Sequence, residues 1–333
     1  ESVIGETIQN LLFLFAGVLG AFLILRKAWI VFGAFILGMI AAIIYYSRLL
    51  PVSGIKKPDM RKIRGLFRRA LRYSIWYSLI PLFQYLFDFI DRWMLAHFHG
   101  LEKTGTYSII PLLAGGMFIL GTSLTTIIAR RGSAMLSRGY EKAAERMVWS
   151  GISLAVIGSL GYAAALYLFE PLIWWIAGER WSAAAGVVPF FLCYFSFYNI
   201  YYIIGCFAAY KEKTWLHLVA LSLGAAVNTV VNLMLIVRFE IYGAATGTLI
   251  GLLVSVLVHI IFITKTKIRV AKSTPVVMIL PFSVFLPKYY FFAVFIVVII
   301  LALRTNLIMS DFDRRLAKTW TARLIRRWKG KRT

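Results

Sequence analysis

Apolar runs of about twenty residues recur along nearly the whole of this chain, and that is the length an α-helix needs to cross a bilayer. Inside lipid every backbone polar group must be satisfied within the protein, so a spanning segment is a helix or part of a closed barrel. The alternating polar-in pattern of outer-membrane barrels is absent. With 60% of its 333 residues hydrophobic and a mean hydropathy of +0.78, the chain reads as an all-α, polytopic membrane protein. About ten spans are predicted, near 8–26, 28–46, 73–97, 105–129, 147–168, 183–209, 215–237, 241–264, 275–287 and 289–304. The ninth is short and contains Pro281 and Pro287, so it reads as a distorted half of a hairpin.

A net charge of +23 could suggest nucleic acid, but its placement argues for a membrane. Nine Lys and Arg residues fall in 47–72, five in 130–146, two in 210–214, four in 265–272 and ten in 304–333. With strict alternation of ten spans, all of these lie on one side. The other side keeps six, and Arg92 lies within a span. That asymmetry orients the chain with the basic side and the C-terminus in the cytoplasm.

The same sorting divides the chain. Residues 1–46 hold two spans, 47–72 form a basic linker, 73–264 a six-helix block, 275–304 a further hairpin and 305–333 a basic tail. The linker is broken by Pro51, Gly54 and Pro58, and then gathers Leu66, Phe67, Ala70 and Leu71 on one face of a basic stretch. It is expected to lie along the cytoplasmic membrane surface or to be an ordinary solvated loop. In the tail, Leu316, Trp320, Leu324 and Trp328 recur every fourth residue among arginines, which fits an amphipathic helix on anionic phospholipids better than nucleic-acid binding. A faint repeat pairs Arg26–Ala34 with Arg238–Ala244. The chain begins at Glu1 with an apolar run and no signal-peptide pattern, so it reads as an N-terminally incomplete piece of a longer protein. Cys193 and Cys206 stand on one predicted helix about 20 Å apart, too far for a disulfide.

Within the third span, Asp88, Asp91 and Arg92 place three ionisable groups in otherwise apolar sequence. An ionised side chain near the bilayer centre costs at least about 3 kcal/mol, so such groups face other helices or water. Asp88 and Arg92 are four residues apart, with Gln84 one turn before and Asp91 on nearly the same face. The stripe either lines an aqueous cleft for a charged or sugar-bearing substrate or a coupling ion, or Asp88 and Arg92 merely neutralise each other. Asn228 and Asn232 set two amides on one helical face, for a ligand hydroxyl or for helix packing. Arg130 and Arg131 close the fourth span, in which Pro111, Gly115 and Gly116 are the hinge candidates. Tyr198, Asn199, Tyr201, Tyr202 and Tyr210 form an aromatic-polar band that suits packing or sugar stacking. The histidines 97, 99, 217 and 259 lie near predicted membrane edges.

No Walker A pattern, Gly-x-Ser-x-Gly, His-Glu-x-x-His or dinucleotide fingerprint occurs. The outer acids Glu102, Glu170, Glu179 and Glu240 are scattered. Neither an enzyme nor an ATP-driven pump is expected, and no cofactor or metal site is read.

Asp91-Arg92-Trp93-Met94-Leu95, followed by Gly105-Thr106-Tyr107-Ser108, resembles the seventh-to-eighth helix passage of the Wzx-type O-antigen flippases of the MOP superfamily, relatives of MATE exporters and of the lipid II flippase. Asn228 to Leu235 with Ile241-Tyr242-Gly243-Ala244-Ala245-Thr246-Gly247-Thr248 resembles the eleventh-to-twelfth passage. The likeness covers 73–264 by motif order and 1–46 by position. It implies a MATE-like bundle of two lobes with an incomplete N-lobe lacking four helices. It implies movement of an undecaprenyl-diphosphate-linked oligosaccharide across the bacterial inner membrane, with H⁺ or Na⁺ coupling through Asp88 and Asp91. Polysaccharide polymerase and glycosyltransferases would be its partners. A MATE-like drug or ion antiporter is the alternative, followed by a membrane glycosyltransferase or a non-transporting subunit of a polysaccharide synthesis complex.

Overall fold

A computed structural model describes residues 60–178, 184–265, 270–271 and 273–305, with Ile40 and Ile308. The predicted spans 8–26 and 28–46 (Ile40 apart), the first half of the faint repeat, Glu179 and the amphipathic tail lie outside the described residues. The chain divides into two compact units, Glu1–Arg68 and Arg69–Thr333, and nearly everything below concerns the second.

Every regular element among the described residues is a helix. α1 (Met60–Ala114) leads through a 3₁₀ turn, Gly115–Met117, into α2 (Phe118–Ser137). α3 (Glu141–Ala177), α4 (Val188–Tyr210) and α5 (Thr214–Lys265) follow. α6 (Thr274–Ile279) runs into a second 3₁₀ turn, Leu280–Phe285, and α7 (Lys288–Arg304) closes the described fold. Four stretches are long and apolar enough to cross a membrane: Ser74–Ser137, Glu141–Ile173, Val188–Tyr210 and Thr214–Lys265. The protein is a helical membrane protein.

The 52 residues of α5, if straight, would extend about 78 Å at 1.5 Å per residue. The chain instead reverses at Glu240, where φ is +50°, and α1 reverses at Gly100, where φ is +84° and ψ 174°. The latter is a conformation essentially reserved for glycine. Side-chain contacts show the reversal directly: Tyr107 donates a hydrogen bond to Asp91, and a Cβ on Gly251 would lie 2.6 Å from Asn228 Cβ. Both long helices are therefore hairpins.

α4 is the centre of the unit. It packs against α2, α3, α5 and the Leu280–Phe285 turn, and it is apolar all round, as a helix enclosed by others must be. Phe191, Leu192, Ile200, Tyr201, Ile204 and Phe207 are among its buried residues. Both free cysteines are buried on it as well.

Three boundaries differ from expectation. α1 begins at Met60, inside the stretch read as the basic linker. α2 continues through Arg130 and Arg131 to Ser137, so those arginines stand on a helix rather than in a connection. The segment expected as a ninth span is a short apolar helix, Thr274–Phe285, that turns 3₁₀ next to Pro281, and Pro287 belongs to the N-terminus of α7, where its fixed φ suits the start of a helix.

Candidate functional site

The first limb of α1, 60–99, turns two faces in different directions. Tyr85, Leu86, Phe89 and Trp93 are exposed apolar groups, as lipid requires. Gln84 and Asp91 are buried among neighbouring helices, and Asp88 is half-buried.

The two carboxylates have different surroundings. Asp91 is 3% exposed and accepts from the Tyr107 hydroxyl, from Thr248 Oγ1 at 3.1 Å and from the Arg92 backbone N–H at 2.7 Å. It joins three chain segments: the outgoing and returning limbs of α1, and the second limb of α5. Asp88 accepts from Gln84 Nε2 at 3.2 Å through each oxygen and from the Tyr194 hydroxyl at 3.0 Å.

Arg92 forms an ion pair with neither carboxylate. Its guanidinium lies 5.3 Å from the centre of the Phe89 ring, and its Nε is buried without a hydrogen-bond partner. Asp88 and Arg92 therefore make no direct ion pair. Hydroxyl and amide donors solvate the carboxylates instead.

Two open cavities follow one another along α1. The first, about 580 Å³, is bounded by Tyr77, Gln84 and Asp88 of α1, Thr125 and Ser133 of α2, and His217 of α5. The second, about 500 Å³, is bounded by Asp88, Asp91, Arg92, Pro111, Tyr194 and Tyr198. Asp88 is the residue on both walls. Tyr194, Tyr198 and Tyr202 continue as an aromatic ladder on α4, with centroids 5.5 Å and 4.9 Å apart, and Phe118 of α2 packs on the last two.

Asn228 and Asn232 are not among the residues lining either cavity. Both are fully buried. Asn228 Nδ2 donates to the Phe87 carbonyl at 3.3 Å and Asn232 Nδ2 to Asn228 Oδ1 at 2.8 Å. Gly247 and Gly251 let the second limb of α5 close over them: an added Cβ would meet Asn232 Oδ1 at 2.0 Å and Asn228 Cβ at 2.6 Å. These are the contacts of close helix packing. Arg130 and Arg131 are exposed on α2 and also off the cleft, while their neighbours Ala129 and Ser133 line it.

The hinge candidates fall where the helix changes. Pro111 lines the second cavity, and Gly115 and Gly116 open the 3₁₀ turn, a change of helix type that often marks a hinge. Two side chains staple that turn to its neighbours. Tyr162 donates to the Leu113 carbonyl at 2.6 Å, and Asn199 Nδ2 to the Met117 carbonyl at 3.2 Å. A Cβ on Gly116 would come within 2.5 Å of the Tyr162 hydroxyl.

Three site residues were not singled out from sequence: Tyr107, Tyr194 and Thr248. Tyr107 and Thr248 lie inside the motifs already noted, but nothing local marks them as partners of Asp91. Tyr194 could have been found as the fourth-residue predecessor of Tyr198 and Tyr202. Among the outer acids, Glu240 pairs with Lys103 and Glu170 with Lys288; among the described residues no cluster of three or more potential ligands could hold a metal ion. No protein-family model, curated protein or solved structure matches the chain.

Proposed function

We propose that this protein is a membrane transporter whose second lobe is the unit described above, and that it flips an undecaprenyl-diphosphate-linked oligosaccharide across the bacterial inner membrane. The observation that carries the reading is Asp88, a half-buried carboxylate shared by the walls of two successive cavities. Alternating access needs such a point, reachable from either end, and an ionisable group is retained inside a span when it serves a substrate or ion path. In this reading the first cavity opens toward the cytoplasm and the second toward the outside, following the charge asymmetry of the connections.

The chemistry of the walls fits a sugar. Tyr198, Tyr202 and Phe118 offer ring faces, and Asp88 accepts hydroxyl donors. Arg92 is the cleft cation available for a phosphate. The ten-span, MATE-like arrangement of two lobes, the basic linker on anionic lipid and an association with polysaccharide polymerase and glycosyltransferases belong to the same proposal. Coupling to H⁺ or Na⁺ would run through Asp88. The decisive experiment reconstitutes the full chain in liposomes and follows transfer of a fluorescent lipid-linked oligosaccharide between leaflets. Transfer above protein-free vesicles, lost in Asp88→Asn, supports the proposal, and transfer at the protein-free rate overturns it.

A second reading, a MATE-like exporter of cationic molecules, is favoured by the two carboxylates set against a single arginine. Proton- or sodium-driven efflux of an organic cation, with no lipid transfer, would select it.

A further inference from the structure

A third cavity, of about 320 Å³, shares no lining residue with the two cavities along α1. It forms where α3 finishes and α4 and α7 begin. Tyr167 and Glu170 line it from α3, Val188 from the first turn of α4, and Phe285, Leu286 and Lys288 from the passage into α7. The Tyr167 hydroxyl donates to the Val284 carbonyl at 2.8 Å, and its ring meets Phe291 edge-on at 5.2 Å. That wall is therefore fixed to the chain on either side of the passage.

Two opposite charges face this cavity, and the rest of its lining carries none. Lys288 Nζ pairs with Glu170 Oε2. The two side chains are 54% and 26% exposed, and an ion pair open to solvent contributes little by itself. A ligand that carries both charges can thus replace it at small cost. The pair is also unbalanced. Lys288 is the first residue of α7, a helix with no acid in its first turn, so its charge adds to the positive end of the helix dipole. One carboxylate stands against both, which leaves a place for a second anion.

The neighbours set the depth of the cavity. Trp175 near the end of α3 and Tyr289 and Tyr290 at the start of α7 are strongly exposed, and such rings at the ends of spanning helices mark the membrane–water interface. On the side of α3 away from its end, Leu168 and Phe169 are exposed too, an apolar track of the kind an acyl chain follows. A cation, a carboxylate and apolar walls at headgroup depth match a zwitterionic phospholipid. The carboxylate selects among these: a primary ammonium donates hydrogen bonds to it as Lys288 does, whereas a quaternary ammonium has no N–H to give.

We propose that this cavity binds the phosphoethanolamine headgroup of a bilayer phospholipid, with Lys288 taking the phosphate and Glu170 the ammonium. The site is separate from Asp88 and does not depend on the transported substrate. The test is native mass spectrometry of the full chain in detergent, titrated with phosphatidylethanolamine, its mono- and dimethylated forms, phosphatidylcholine and phosphatidylglycerol, all with the same acyl chains.

The expected result is one retained phosphatidylethanolamine per chain, held about tenfold or more tighter than phosphatidylcholine or phosphatidylglycerol, as charge-assisted hydrogen bonds allow. The double variant Glu170→Gln/Lys288→Gln should lose that preference, while Glu240→Gln, which opens a different exposed pair, should keep it. The inference is overturned if the lipids are retained equally, if phosphatidylglycerol is preferred, or if the double variant selects as wild type does. Should the double variant fail to fold, the methylation series on wild type decides alone: retention must fall as N–H groups are removed, and a flat series overturns the inference. Because no oligosaccharide is present, failure of oligosaccharide transfer would leave this result standing.

Discussion

Asp91 and Tyr107, sixteen residues apart in sequence, share a hydrogen bond across the Gly100 reversal, and Thr248 closes on the same carboxylate from the other hairpin. The two reversals are thereby joined through one buried acid. Tyr107→Phe removes a donor without changing shape and leaves a buried carboxylate under-solvated, at a cost of about 1–3 kcal/mol. The expected outcome is a lower melting temperature in detergent for Tyr107→Phe, and a smaller drop for Thr248→Val. An unchanged melting temperature for Tyr107→Phe would show that the clamp contributes nothing.

Asp88 should respond differently. It is half-buried on two cavity walls, and its partners Gln84 and Tyr194 can hydrogen-bond an amide as well as a carboxylate. Asp88→Asn is therefore expected to fold normally but to lower the proposed oligosaccharide transfer in liposomes by about tenfold or more, equivalent to about 1.4 kcal/mol on the barrier. Asp91→Asn should show the reverse pattern, with its larger effect on melting. Equal effects at both positions would mean that the two acids share one role.

The Asn228–Asn232 seam gives a third test. Gly251→Val would push a side chain into Asn228 and into the Gly224 carbonyl, which a Cβ already approaches to 2.7 Å. Overpacking of this kind costs about 1–3 kcal/mol or more. Asn228→Ala deletes the bond to the Phe87 carbonyl and the acceptor of Asn232, worth about 0.6 kcal/mol for an average intramembrane hydrogen bond. Thermal unfolding should rank Gly251→Val well below Asn228→Ala. If Asn228 instead bound substrate, Asn228→Ala would impair transfer while leaving melting unchanged.

What could be read from sequence follows from what is local. Span length and apolar content revealed the helices, and Pro281 the distorted one. The rarity of charge in lipid singled out Asp88 and Asp91 before any partner was visible. The partners themselves come from sequence separations of 16, 106 and 157 residues, and single-chain periodicity holds no information about which helix faces which. The asparagines show the same limit. An amide on a helical face looks identical whether it meets a cavity or a glycine of the next helix, and only Gly247 and Gly251 arriving opposite decide it. The continuity of α1 through residue 72 was hidden because a run of arginines signals a membrane surface without signalling a helix end.

The last prediction concerns the second reversal. Glu240 holds φ at +50°, in a region where a side chain is strained by about 1–3 kcal/mol. Its carboxylate is paired with Lys103 and lies 3.9 Å from His99 Nδ1, whose Nε2 is 2.8 Å from the Ile236 carbonyl. The hydrogen bond from Lys103, assisted by the Lys103 charge and by His99, holds the Glu240 carboxyl below the ordinary glutamate range. A depressed acid adds stability above its ordinary pKa and loses it as the pH falls through the lowered value. The group is solvent-exposed, so screening keeps that contribution under about 1 kcal/mol. Glu240→Gly relieves the backbone and gives up only this weak pair, so it should raise the melting temperature at neutral pH. Lys103→Gln should lower it slightly at about pH 7, and the difference from wild type should shrink as the pH falls through the lowered carboxyl value. A lower melting temperature for Glu240→Gly would mean that the ion pair outweighs the strain.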